Sequence, residues 1–295
     1  MIEELFSSVK RKFGKYFSGL FCFLQYPFRN TFLLFNPARK ARKGIVNLNY
    51  WEDQVNLGDA LSPVIVNWCL ARKGMSLENR IKRCRHLYAI GSIITAGMQD
   101  CTIWGSGFLT PDKLNRLKGR KLDIRAVRGP LTRLILVDNG FSVPKVYGDP
   151  AIFLPELYQP IGIKRKARYG IVRHLSAGEN INFPDSINID IRTDDYRKFV
   201  DKLHEVEIVV SSSLHGIIIA ESFGIRAILL RPKHDLFKYY DWYYSTRRFD
   251  FPIAASIQEA FMLPPPVLPD NLDLLRKGLL DAFPYDIFVD DKELS

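Results

Sequence analysis

From residue 45 onwards, short runs of β-branched and other apolar residues alternate with segments whose apolar positions recur at helical spacing. Ile45 to Tyr50 reads as a strand, followed by the turn-prone Asn56-Leu57-Gly58-Asp59 and a helical pattern from Ala60 to Leu70. Leu87 to Ile90, running into Gly91, is the next strand, and Thr102 to Trp104 leads into Gly105-Ser106-Gly107. Ile124 to Val127 is a short strand before Arg128-Gly129-Pro130-Leu131, where Pro130 suits the first turn of a helix. A first unit ends near Tyr147-Gly148-Asp149-Pro150, and the Pro- and Lys/Arg-containing stretch Pro155 to Lys166 reads as a linker.

The alternation then resumes. Tyr169 to Val172, Glu207 to Val210 and Ala227 to Leu230 read as strands, with helices around Tyr196 to Leu203 and Gly216 to Phe223. Beyond Pro264-Pro265-Pro266 a last helix is expected from Leu272 to Ala282. Such a pattern predicts an α/β chain of parallel strands with crossover helices in two units, residues 44–155 and 166–262, with a helix and tail over 263–295. Two such units enclose a cleft, and open α/β sheets bind ligands at the carboxyl ends of their strands. No internal repeat or low-complexity segment is present.

Charge changes the picture only at the front of the chain. The formal net charge is +10, and residues 1–43 carry nine basic residues against Glu3 and Glu4, leaving +3 for the rest. Nucleic-acid binding, the general inference from a basic chain, is therefore not expected of the folded body. The arm also holds an aromatic run from Tyr16 to Phe28, too short to span a bilayer, where roughly 20 apolar residues are needed. Aromatic residues flanked by Lys and Arg suit a segment lying in the membrane interface, and the other reading is a helix packed on the body. Four cysteines (Cys22, Cys69, Cys84 and Cys101) form no CxxC pair and no metal-ligand spacing, so free thiols and no metal site are expected. The expected location is the cytoplasm, peripheral on the inner face of the cell membrane.

Candidate chemistry concentrates where a buried strand ends in Ser211-Ser212-Ser213-Leu214-His215-Gly216 and a helix starts at once. Serine hydroxyls and unpaired backbone N–H groups at a helix N-terminus form an anion site, and a histidine there can donate a proton or a hydrogen bond. Gly216 would let a ligand approach the backbone. Asp59, after its tight turn, is read either as a base facing the cleft or as an N-cap. Arg128 can contact phosphate bidentately or lie at a helix start. Asp149 reads as part of a domain-edge turn. Glu221 lies six positions past His215 and so points to another face of the helix, though it can still touch ligand from the first turns. Tyr239, Tyr240, Trp242, Tyr243 and Tyr244 are read as core packing before sugar stacking.

The ordered set Asn56-Leu-Gly58-Asp59, Gly105-Ser-Gly107, Val127-Arg128-Gly-Pro-Leu-Thr132, Gly148-Asp149-Pro-Ala151, Ser211-Ser-Ser-Leu-His215-Gly216, Glu221-Ser-Phe-Gly224 and Lys238-Tyr-Tyr-Asp241 resembles the polysaccharide pyruvyl transferase family over roughly residues 45 to 250. The resemblance implies two Rossmann-like domains facing a cleft in the manner of GT-B glycosyltransferases. Residues 44–155 would then be the acceptor domain and 166–262 the donor-binding domain. It further implies phosphoenolpyruvate as co-substrate with no cofactor, and a ketal formed on a sugar of a surface polysaccharide precursor; the basic, aromatic arm adds the expectation that this precursor is lipid-linked. His215 and Asp59 are the expected catalytic pair. Arg173, His174, Arg128, Ser211, Ser212, Ser213, Gly216 and Lys238 are expected at the donor, and Asn56, Gly58 and Glu221 at the acceptor. Some members carry arginine where this chain has Ser213, which leaves Arg173 as the expected replacement cation. A nucleotide-sugar glycosyltransferase on the same scaffold and a non-catalytic membrane scaffold for polysaccharide assembly are the competing readings.

Overall fold

The computed structural model describes residues 42–97, 99–174, 182–233 and 235–290. The membrane reading of the arm therefore falls, apart from residues 42 and 43, outside the described residues. Among the described residues no helix is long and apolar enough to cross a membrane.

Two all-parallel sheets form, as the alternating pattern predicts. The first orders β1 (Val46–Asn49), β2 (Arg85–Tyr88), β3 (Cys101–Trp104) and β4 (Leu122–Ala126) side by side in chain order. Helices α1 (Leu57–Ala71) and α2 (Pro130–Asp138) belong to this unit. The second sheet has β5 (Ala167–Val172) between β6 (Ser186–Ile189) and β7 (Val206–Ser211), continuing to β8 (Arg226–Leu230) and β9 (Ile253–Ala254). A short α3 (Leu154–Leu157) lies at the start of the expected linker, and α4 (Tyr196–His204), α5 (Leu214–Ser222), α6 (Phe237–Ser245) and α7 (Ile257–Met262) complete the second unit. The predicted C-terminal helix is α8 (Leu272–Asp281).

The strongest helix signals and their burial agree with sequence. Helix α4 is amphipathic and buries Phe199, Val200 and Leu203 while its charged side faces out; Asp195 caps it by accepting from the Lys198 N–H at 3.1 Å. Every residue of α5 is buried, as expected of a helix apolar on all sides between other layers. Gly216 makes this packing possible: a Cβ there would lie 2.4 Å from the Ser211 hydroxyl and 2.8 Å from Val172 Cγ1. Its glycine thus serves helix-on-sheet contact, a role beyond the ligand approach expected from sequence.

The units are sealed together by side chains that reach across. Leu57 and Leu61 of α1 share one buried cluster with Val172, Leu214 and Ile217 of the second unit. Helix α6 sends Phe237 and Tyr240 into the core around β3 and α2. Helix α8 returns to the first unit, where the Trp104 Nε1–H donates to the Leu279 carbonyl at 2.8 Å.

The units also meet at an ion pair, Arg128 with Asp241, both without solvent exposure and 3.2 Å apart. Asp241 also accepts from the Leu131 and Thr132 N–H groups at 3.0 and 2.9 Å and from the Thr132 hydroxyl at 2.6 Å. It caps α2 from the other unit, where the local N-cap, Gly129, has no side chain to do so. A Cβ on Gly129 would stand 2.0 Å from the Asp241 carbonyl oxygen.

Candidate active site

A cavity of about 440 Å³ opens between the two sheets, within the range of small-molecule sites. Its walls follow the carboxyl ends of strands from both units. Trp51, Asn56 and Asp59 come from the segment after β1, Ser92 follows β2, and Leu109 follows β3. Facing them are His174 after β5, Ser213 and His215 after β7, and Lys238 at the start of α6.

The register of the second sheet explains one wall. Val172 of β5 pairs with Ser211 of β7, so the residues following the two strands emerge side by side. The His174 N–H donates to the Ser212 hydroxyl at 2.9 Å, and the Ser211 hydroxyl both donates to the Ser213 carbonyl at 2.8 Å and accepts from the Ser213 N–H at 3.0 Å. Tyr239 braces the same turn, donating to the Ser212 carbonyl at 2.6 Å. Ser211 and Ser212 are therefore spent on holding the turn, and Ser213 alone of the three lines the cavity. Ser213 is the N-cap of α5 and its side chain makes no capping bond.

His215 stands on the second residue of α5, wedged against α1. A Cβ on Gly58 would fall 1.7 Å from His215 Nδ1, so only glycine at 58 leaves room for the ring. Gly58 was expected at the acceptor; what it does is seat the histidine. On the ring's other side, Nε2 lies 3.5 Å from Asp149 Oδ2, longer than an ordinary hydrogen bond, and neither buried atom has a hydrogen-bond partner. Asp149 has no solvent exposure, and its Oδ1 accepts from the Ala151 N–H at 3.0 Å. The reading of Asp149 as an edge turn thus misses a buried carboxylate aimed at the imidazole. It reaches that position because Gly105, with φ +89, leaves space for the Pro150 ring, which a Cβ would meet at 2.3 Å.

Asp59 lies in the first turn of α1, whose N-cap is Asn56, so the N-cap reading of Asp59 is corrected. The Asn56 amide donates to Asp59 Oδ2 at 2.5 Å. Gly91, with φ +109, lets the other oxygen approach: a Cβ there would be 2.9 Å from Asp59 Oδ1. Burial pushes the Asp59 carboxyl above its usual value, and His215 and the Asn56 amide oppose that shift.

Lys238 is 7% exposed and reaches the cavity from α6. Among the described residues no carboxylate lies within ion-pairing distance of its ammonium group. Burial lowers its pKa to about 7, with Arg128 adding to the effect and Asp59 opposing it. The sequence ranks Lys238 behind Arg173 as a donor cation; of the two, Lys238 is the one that lines the cavity among the described residues. Arg173 is half-buried and absent from the cavity's described lining, whereas its neighbour His174 is part of it.

Two further expectations fail on geometry. Arg128 is not among the described residues that line the cavity: beside its ion pair with Asp241, it donates to the Ser92 hydroxyl at 2.7 Å and the Phe108 carbonyl at 2.5 Å, behind the wall. Gly107 makes room for it, since a Cβ there would lie 2.6 Å from the guanidinium carbon. Glu221, expected at the acceptor, is held inside the second unit by Arg248, at 2.6 and 2.7 Å, and by the Trp242 indole N–H at 3.0 Å. Tyr239, Trp242 and Tyr243 have no exposure and serve the core, as read. Among the described residues no group of three or more His, Cys, Asp or Glu side chains could hold a metal ion.

What fold and site define is a two-sheet α/β protein whose cavity, between the carboxyl ends of its strands, combines His, Asp, Lys, amide and hydroxyl side chains with apolar ones. Residues 99–234, just under half of the chain, match the family model described as polysaccharide pyruvyl transferase. Two curated relatives are similar to it. An uncharacterized protein of Acanthamoeba polyphaga mimivirus is 28% identical over 202 residues, covering 63% of this chain and 67% of the relative. The succinoglycan biosynthesis protein ExoV of Rhizobium meliloti (strain 1021) is 25% identical over 206 residues, covering 65% of this chain and 62% of that protein.

Proposed function

We propose that this protein transfers pyruvate from phosphoenolpyruvate to two hydroxyls of one sugar in a polysaccharide precursor, forming a ketal, on a GT-B-like two-domain scaffold. The observation that carries the reading is the set of proton-handling and cationic groups around one cavity: His215 backed by Asp149, Asp59 across from it, and Lys238 with no carboxylate at ion-pairing distance among the described residues. The reaction needs an acid to protonate the enolpyruvyl methylene and a base to take the proton of the attacking hydroxyl. It also needs positive charge where phosphate leaves. In this scheme His215 delivers the proton that forms the methyl group, with Asp149 holding the imidazole in place. The first sugar oxygen then bonds to the cationic carbon and gives its proton to Asp59, whose raised pKa makes it the stronger base. A second hydroxyl of the same sugar then bonds to that carbon as the C–O bond to phosphate breaks; its proton leaves with the phosphate as hydrogen phosphate, and the proton held by Asp59 passes through solvent to restore His215. Lys238, His174 and the N–H groups at the start of α5 hold the phosphate and carboxylate.

The test is thermal unfolding with phosphoenolpyruvate and, separately, with nucleotide sugars; a ligand at 100 times its dissociation constant stabilises by about 2.7 kcal/mol. A shift with phosphoenolpyruvate that is lost in Lys238→Met is expected. Turnover in His215→Ala should fall roughly 10²-fold or more. A shift with a nucleotide sugar alone would make the protein a glycosyltransferase.

The basic, aromatic arm supports a site of action at the membrane surface and a lipid-linked acceptor. Full-length protein should pellet with anionic vesicles while a form lacking residues 1–43 stays in solution, and equal pelleting of the two would remove this part of the reading.

A further inference from the structure

The two walls of the cavity differ in chemistry. The second unit supplies the ammonium group, two imidazoles and the Ser213 hydroxyl; the first supplies amides, a carboxylate, the Ser92 hydroxyl and two large apolar side chains at the mouth. Trp51 is 48% exposed and Leu109 is 43% exposed, although both line the cavity. By contrast, Trp104 and Trp242 are fully buried. A small polyanion such as phosphoenolpyruvate is recognised by cations and N–H donors and gives no reason for an exposed indole beside it.

We propose that Trp51 is the platform on which the pyranose ring of the acceptor lies, with the Gln54 and Asn56 amides reading its hydroxyls. A pyranose has a face of C–H bonds and a rim of hydroxyls. Its polarised C–H groups suit the electron-rich face of an indole, whose area is also apolar. A side-chain amide offers a donor and an acceptor together, which matches an O–H group or a vicinal pair. Gln54 and Asn56 follow Trp51 within one segment, and Asn56 is bonded to Asp59 at 2.5 Å. A ring lying on Trp51 is thus led to the carboxylate that takes its hydroxyl proton. This assignment rests on the proposed reaction and names the side of the cavity that receives the sugar.

Ligand-observed saturation-transfer NMR on the full chain provides the test, using methyl β-D-glucopyranoside, methyl β-D-galactopyranoside and methyl α-D-mannopyranoside, with and without phosphoenolpyruvate. At least one glycoside should show transfer, strongest at axial ring protons. Trp51→Ala should weaken its binding by about tenfold, and Trp51→Phe, which keeps an aromatic face, by no more than about threefold. The melting shift with phosphoenolpyruvate should be the same in all three proteins. Unchanged glycoside binding in Trp51→Ala, or no transfer to any glycoside in the unmodified protein, would overturn the platform while leaving the donor reading intact. Glycoside binding lost in Trp51→Ala, with no phosphoenolpyruvate shift in the unmodified protein, would keep the platform and remove pyruvyl transfer.

Discussion

At the scale of single residues, Lys238 is where stability and ligand binding oppose each other. Its pKa is depressed to about 7 from 10.5, so between those values the unfolded chain binds more protons than the folded one. Its contribution to stability is therefore fully present above about pH 10.5, shrinks as pH falls, and is lost through about pH 7. Below that, the buried ammonium costs the apo protein on the order of a few kcal/mol. An anionic ligand reverses the account by pairing with the charged form. Lys238→Met should consequently unfold at higher denaturant than the unmodified apo protein at pH 6, by an amount that shrinks toward pH 10. Its affinity for phosphoenolpyruvate should be poor throughout. In the unmodified protein that affinity should fall as pH rises from 7 to 9, by up to about tenfold per unit, and calorimetric titration would read the slope. A slope that survives in Lys238→Met would assign the pH dependence to another group.

At the scale of elements, the proposed catalytic groups stand where they do because glycines let secondary structures touch. Gly58 of α1 admits the His215 ring of α5, and Gly216 admits the Ser211 turn and Val172. Gly58→Ala should displace the imidazole, lowering turnover at least as far as a proton-transfer defect does, about 10²-fold, while the fold survives. Gly216→Ala meets a strand side chain with less room to move, so its effect should appear in stability, at about 1–3 kcal/mol by denaturant unfolding. Equal losses of activity and stability in the two variants would show that the glycines share one role.

The same scale shows what sequence could reveal. Strands β3, β4, β5, β7 and β8 and helices α4, α5 and α8 were readable, because each joins a clear apolar period to a turn or glycine at its end. Helix α6 was not, since Phe-Lys-Tyr-Tyr-Asp-Trp-Tyr-Tyr-Ser has no polar face: it is buried between both units, and its aromatic residues were visible only as a cluster. The short β6 and β9 carry too few residues for a period. Asp149 and Lys238 lay inside recognised motifs, yet their roles depend on which element crosses which, and that is decided by tertiary packing. Trp51 had no motif at all; an aromatic residue just past β1, before the Asn56 turn, was the available signal.

At the scale of the whole molecule, the Arg128–Asp241 pair decides how the cleft is kept. Arg128 belongs to the first unit and Asp241 to the second, and neither has solvent exposure. Burial raises the Asp241 carboxyl, while Arg128, Thr132 and the α2 N–H groups act against that shift. Removing one partner of such a pair strands the other as an uncompensated buried charge, which typically costs about 3–5 kcal/mol. Arg128→Ala should therefore lower stability by an amount in that range and loosen the seam between the sheets, where Asp241 caps α2. A donor-binding arginine would behave differently, losing phosphoenolpyruvate affinity with little change in the unliganded protein. Denaturant unfolding without ligand separates the two. Large destabilisation is expected, and it should be smaller in Arg128→Met with Asp241→Asn, which removes both charges. If Arg128→Ala melts like the unmodified protein and only its ligand shift disappears, then Arg128 turns toward the cavity when ligand binds, and the seam does not depend on the ion pair.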